Sequence, residues 1–198
     1  MQVHHHDTAA IPHRQIRAVY DATTIRVYQA YSDSIADSAL EKGTFVSPPF
    51  KMERMTWIKP SFLWMMYRAG WGLKDAGQKR ILAIDITREG FDWALTHSCL
   101  SHADEGMTKE EWETKKKASP VRIQWDPERD LLLRPLEHRA IQIGLSKEAV
   151  QFYVNQWICN ITDISDIANT IHELININKL DRAQTMLPKE LPYSLRNP

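Results

Sequence analysis

Glycine and cysteine are scarce in this chain: of 198 residues, seven are glycine and two are cysteine. So few glycines leave little material for a backbone cradle around phosphate, and neither the Walker A loop nor the Rossmann glycine fingerprint occurs. The zincin helix motif and the G-x-S-x-G elbow are missing too. Cys99 and Cys159 cannot build a disulfide framework or, alone, a four-ligand zinc site. Excess charge of either sign is also lacking, with 25 Lys and Arg against 25 Asp and Glu. That balance argues against bulk coating of nucleic acid and leaves a local basic patch open. No apolar run approaches the roughly 18–20 residues of a membrane helix; the richest, Phe62 to Tyr67, is far shorter. His4, His5 and His6 stand where a signal peptide needs an apolar core. The expectation is a cytoplasmic, reduced, single-domain protein with no membrane partner.

What is present is a chain that is 43% hydrophobic with seven tryptophans, enough for a sizeable core. Residues 1–13 read as a flexible lead-in, 14–187 as one domain, and the Pro-rich 188–198 as a tail that wraps the surface or is loose. Arg14 to Tyr31 alternates as two strands around a turn at Asp21-Ala22-Thr23. Ser32 or Asp33 caps a helix that ends at Gly43, and a second helix spans about Ser61 to Arg68 before Gly70. Lys79 to Ile86 reads as a strand buried on both faces, and Thr87 to His97 as a helix. Thr108 and Glu111 form a capping box that opens an exposed helix. Strands are expected at Val121–Trp125, Leu131–Pro135 and Glu137–Gly144, then a helix capped by Ser146 through about Asn160 and another from Asp163 to about Ile175. Elements that mix without regular alternation indicate an α+β fold with a mainly antiparallel sheet flanked by helices.

Two places invite chemistry. Residues 51–90 hold eight Lys and Arg against four Asp and Glu, and Arg54 to Trp71 intersperses Arg54, Lys59 and Arg68 with Trp57, Phe62, Trp64, Tyr67 and Trp71. Rings stack on bases and cations meet phosphates, so a nucleotide suits this segment. The competing reading, favoured on composition alone, is a tryptophan-rich core element with snorkelling cations. The second place is Glu137, at the entrance of an apolar strand between Arg134 and Arg139; alone it reads better as a surface ion pair. Cys99 and His102 make at most a fragment of a metal site, and no metal is expected.

The runs RQIRAVYDATTIRVYQAYS, RMTWIKPSFLWMMYR and LEHRAIQIGLS resemble the family named domain of unknown function 4291, over residues 14 to about 190. More distantly, the layout resembles the ADP-ribosyltransferase superfamily, especially its DNA-targeting toxin branch. Val27-Tyr28-Gln29-Ala30 stands where that superfamily has its first strand, and Gly43-Thr44-Phe45 closes the helix that follows. Trp57 to Tyr67 is similar in character to the branch's cofactor-lining stretch. Glu137, at the start of a strand followed by a capped helix, matches the position of the catalytic glutamate.

That resemblance implies a split antiparallel fold, NAD as substrate, and transfer of ADP-ribose to a nucleic-acid or protein acceptor. Its alternatives are a non-enzymatic nucleotide or nucleic-acid binding module, or RNA 2′-phosphotransfer. Glu137 would be catalytic, holding the ribose 2′-hydroxyl and stabilising an oxocarbenium-like state. Arg54 or Lys59 would meet the pyrophosphate, with Arg14 and Arg17 as further cations. Trp57, Trp64 or Tyr67 would stack on a ring, and Tyr28 and Ser61 fall within the cofactor-binding set. Gln29 stands where the superfamily has His or Arg, and its amide would hydrogen-bond a ribose hydroxyl without supplying charge.

Overall fold

The computed structural model describes residues 11–103 and 106–196. The expected flexibility of residues 1–10, with His4 to His6, lies outside the described residues. Strands are β1 (Arg17–Ala18), β2 (Thr24–Tyr31), β3 (Thr56–Ile58), β4 (Arg80–Thr87), β5 (Ser98–Leu100), β6 (Val121–Arg129), β7 (Pro135–Leu145), β8 (Ile158–Asp163) and β9 (Leu191–Pro192). Helices are α1 (Asp33–Lys42), α2 (Phe62–Ala69), α3 (Arg88–Thr96), α4 (Lys109–Ala118), α5 (Glu148–Phe152), α6 (Ser165–Asn176) and α7 (Leu180–Thr185). The chain is a mixed fold with mainly antiparallel sheets, as its patterning indicates. Among the described residues no helix is long and apolar enough to cross a membrane.

Two main sheets carry the molecule. One has the order β2-β4-β8 and is antiparallel throughout; the other has the order β3-β7-β6-β5, with only β5 and β6 parallel. They meet where Tyr28 N–H donates to the Lys59 carbonyl at 2.8 Å. The turn before β2 is made by the Asp21 carboxylate, which accepts from the backbone of Thr23 and Thr24 at 2.8 and 2.7 Å. In the first sheet, Arg26 lies directly opposite Asp85 and grips it with two bonds of 2.7 and 2.8 Å. Arg80 ties β4 to α1 and β8 through Asp37 and Asp163. One apolar core lies under α1, α3 and α5, around Ile25, Ile84, Phe91 and Tyr153; another lies under α2, α6 and α7, around Tyr28, Phe62, Met66 and Ile171.

The helix boundaries follow their caps. Ser61 Oγ accepts from Trp64 N–H at the start of α2, and Gly70 closes that helix at a φ of 57°. The Thr108–Glu111 capping box opens α4.

Three expectations are corrected. The helix from Ser146 ends at a π turn over Tyr153–Trp157, and Ile158–Asp163 is a strand, because the second edge of buried β4 needs a hydrogen-bonding partner. Leu131–Leu133 is a turn between β6 and β7: the Asp130 carboxylate accepts from Leu132 and Arg134 N–H, and Leu133 adopts a φ of 61°.

The third correction concerns the C-terminal segment. Residues 191–192 pair with β1, and Tyr193 N–H donates to the Ile16 carbonyl at 2.8 Å. The Tyr193 ring is 5% exposed, edge-on to Tyr20 and Phe91, and its hydroxyl donates to Asp92 at 2.6 Å. The Arg88 guanidinium lies about 5 Å from both tyrosine rings. The segment thus wraps the surface, as one of the two expectations had it, and is not loose, because Tyr193 anchors it in the core. Tyr193→Ala should therefore lower stability by about 3–5 kcal/mol, the range for truncating a large buried aromatic. Urea denaturation checks this; a loss below about 1 kcal/mol would mean a peripheral tail.

Candidate functional site

The two sheets diverge from the Tyr28–Lys59 bridge and leave an open cleft of about 640 Å³ between them. Its walls come from the end of β2 (Gln29, Tyr31), the 50–57 segment (Lys51, Arg54, Trp57), α2 (Met65, Arg68), and Gln124 of β6 with Gln142 of β7. Lys59 lies at the apex. The helical turn at Ala76–Gln78 covers one side, where Gln78 accepts from Arg68 at 3.2 Å.

Four cations line this cleft: Lys51, Arg54, Lys59 and Arg68. Among the described residues none of them is in an ion pair with a carboxylate. Lys51, Arg54 and Arg68 are exposed, whereas Lys59 is 6% exposed. The Lys59 ammonium donates to the Trp57 carbonyl at 3.1 Å. Burial, helped by the Arg68 charge and opposed by Asp126, pulls its pKa down to about 7. The far wall is a polar relay in which the Asp126 carboxylate accepts from Gln124 at 2.9 Å and from Gln142.

Gln29 faces the cleft but is already engaged. Its amide nitrogen donates to the Tyr31 hydroxyl at 2.9 Å and to the Trp57 carbonyl at 3.2 Å, and its oxygen accepts from Tyr153 at 2.6 Å. Both amide hydrogens are used, so Gln29 has no donor left for a ribose hydroxyl. Its visible role is to join β2, β3 and the π turn.

Of the residues expected at one site, Gln29, Arg54, Trp57 and Lys59 are brought together there. The others are not. On β2, Tyr28 points away from Gln29 and is buried against Phe62. Met65 and Arg68 of α2 line the cleft, whereas the N-cap Ser61 is bonded to Glu128, and Trp64 and Tyr67 pack against Arg129. Trp64 is buried, and the Arg129 guanidinium covers the Tyr67 ring at 3.6 Å from its centroid. Arg14 is exposed and bridges to Arg139. Arg17 donates to Gln15 and to the Glu190 carbonyl. Glu137 is exposed near the start of β7, inside the irregular stretch 136–138, and is not among the residues that line the cleft. Lys51, Met65, Gln124 and Gln142 line the cleft without having been expected there; for the glutamines, the period-two pattern of β6 and β7 was the available signal.

Behind α2 lies a second polar cluster, built from two buried carboxyls. Ser61 Oγ donates to Glu128 at 2.9 Å, and Phe62 N–H, at the first turn of α2, donates to Glu190 at 2.7 Å. A carboxylate suits a helix N-terminus. Burial nevertheless dominates and, with the Glu128 charge beside it, pushes the Glu190 pKa up to about 8; Arg17 offsets part of this. An unfolded glutamate titrates near about 4.3. Stability from this group is therefore complete below about 4.3 and is lost as pH rises to about 8. Glu190→Gln keeps an acceptor for Phe62 and should flatten the fall in melting temperature between about pH 5 and 8. An unchanged pH profile would place the Glu190 carboxyl in solvent. Separately, Gln29→Leu should cost about 1–3 kcal/mol in chemical denaturation, because the buried Tyr153 hydroxyl loses its partner. A neutral effect would show that water replaces the amide.

The model of the family described as domain of unknown function (DUF4291) matches residues 15–193. A search of curated proteins found no match.

Proposed function

The chain belongs to the DUF4291 family, and from its cleft we propose that the protein binds a diphosphate-bearing nucleotide, with NAD as the ligand. The observation that carries this reading is the set of four cations, Lys51, Arg54, Lys59 and Arg68, converging on one cleft without carboxylate partners among the described residues. Uncompensated cations around a concave surface favour an anion. Trp57 and Met65 supply apolar wall for a ring, and a volume of about 640 Å³ is in the range of small-molecule sites.

ADP-ribosyl transfer to a nucleic-acid or protein acceptor is the second reading, and one observation favours it. Asp126 shares the cleft side of β6 with Gln124 and is near enough to Lys59 to influence its charge. A carboxylate there would oppose positive charge developing on a ribose. Glu137, exposed and outside the lining of the cleft, does not suit that role.

Titration calorimetry with NAD tests binding, and release of labelled nicotinamide tests transfer. Arg54→Ala should weaken NAD binding by about tenfold at low salt, with a smaller effect at high salt because Arg54 is exposed. Glu137→Ala should leave affinity unchanged. Equal affinities for wild type and Arg54→Ala would overturn this choice of cleft. Nicotinamide release that survives Asp126→Asn but is lost in Glu137→Gln would overturn the proposed carboxylate.

A further inference from the structure

Lys59 is unusual among the cleft cations. It is 6% exposed, and its ammonium has one hydrogen-bond partner among the described residues, the Trp57 carbonyl at 3.1 Å. That carbonyl also accepts from Gln29. A buried ammonium without a counter-charge is costly, and neutralisation is the usual escape. The groups around it push the same way. Arg68 on α2, with Lys51 and Arg54 on the segment before β3, line the same cleft and add positive charge. Gln29 and Tyr31 on β2, Tyr153 on the π turn, Gln78 on the helical turn and Gln142 on β7 are uncharged; burial raises the pKa of both tyrosines further. Asp126 on β6 is the nearby negative group, and two glutamines already share its oxygens.

We propose that Lys59 is a proton-coupled anion seat: in mildly alkaline solution it stands neutral in the empty cleft and takes a proton from solvent when a phosphate group enters. The reading deepens the nucleotide proposal above and rests on the same cleft. The incoming anion is the counter-charge the fold does not provide. It stabilises the ammonium, whose two unused N–H groups then donate to phosphate oxygens. The proton comes from bulk water or buffer, and no bond other than N–H is made. Affinity for a phosphodiester anion should accordingly fall as pH rises above about 7, approaching tenfold per unit. The fully exposed lysines of an ordinary phosphate patch stay charged over that range.

NAD is a suitable probe because its diphosphate does not titrate near neutrality. Calorimetry at about pH 8, in buffers of different ionisation enthalpy, should show uptake of close to one proton per NAD bound. Lys59→Arg, permanently charged, should bind without uptake and without the pH dependence; Lys59→Met should lose both affinity and uptake. In the free wild type, the Lys59 ε-carbon resonance should titrate near about 7 and should move upward with saturating ligand. Sulfate, a non-titrating dianion in this range, serves as an independent probe. NAD binding with no proton uptake overturns the coupling and leaves the nucleotide reading standing. Sulfate binding with uptake, but no NAD binding, overturns the nucleotide reading and leaves the coupling standing. A Lys59 resonance titrating above about 10 in the free protein would sink the coupling whatever the variants do.

Discussion

A single backbone contact governs the architecture: the hydrogen bond from Tyr28 N–H to the Lys59 carbonyl. On one side of it β2 runs on with β4, and on the other β3 runs on with β7. Two sheets pinned at one point and twisting apart must leave a wedge of space, because twist accumulates along each strand. Residues at the pin are buried by the sheets themselves, and residues farther out are progressively exposed. That gradient explains why Lys59 is nearly inaccessible while Arg54 and Lys51, on the segment leading into β3, remain in water. Gln29 holds the apex by joining Tyr31, Trp57 and Tyr153. Removing that amide would leave several buried polar groups unpaired at once, so the cleft's shape and its burial of Lys59 rest on the same bonds.

Helix α2 divides the charge of a chain that is neutral overall. The cleft side of the helix carries Arg68; the other side carries Ser61, capped onto Glu128, with Glu190 on the first helical N–H. Anions thus collect at the helix N-terminus and behind it, and cations in front. Glu190, beside the Glu128 charge and held in a desolvated place, keeps its proton more readily than an exposed glutamate, which limits the repulsion between the two carboxyls. The C-terminal strap supplies Glu190 and is locked in place by Tyr193 three residues on. Residues distant in sequence are therefore coupled to the start of the helix that lines the site.

Local rules made much of this legible. Ser61 and Gly70 bracket α2, Thr108 and Glu111 open α4, and the apolar run of β4 is central in its sheet, as such a run requires. Partnerships across long separations were not legible. Nothing near Ile158 says that β4 has a free edge to fill, and nothing near Tyr193 says that Tyr20, Arg88 and Phe91 form its socket. The candidate site divides in the same way. Arg54, Trp57 and Lys59 were visible as a basic and aromatic run on the segment that reaches the apex. Trp64 and Tyr67 belong to the same run, but their rings pack under Arg129 and not into the cleft. A cluster in sequence is a cluster in space only within the repeat of the element that carries it.

The same periodicity decides where carboxylates can act. On β7, alternation from Gln142 selects Ala140 for one face and Ile141 and Arg139 for the other, as far as the regular pairing with β6 extends. Toward this end of the hairpin the pairing is irregular: residues 136–138 of β7 stand opposite Glu128 alone on β6, and Glu137, in the middle of that stretch, is exposed and does not line the cleft. The negative group on the cleft face is thus Asp126, held by glutamines from two strands and not by a cation. Neutral partners leave its charge intact, whereas an arginine partner would cancel it. A carboxylate kept in this way opposes the cations just enough to limit their repulsion in the empty cleft. It cannot serve as their full counter-ion, because four basic side chains face one carboxylate, and even with Lys59 neutral three cations remain. The imbalance is local, since the chain as a whole is neutral, and it is greatest at the apex, where water is excluded and each uncompensated charge costs most.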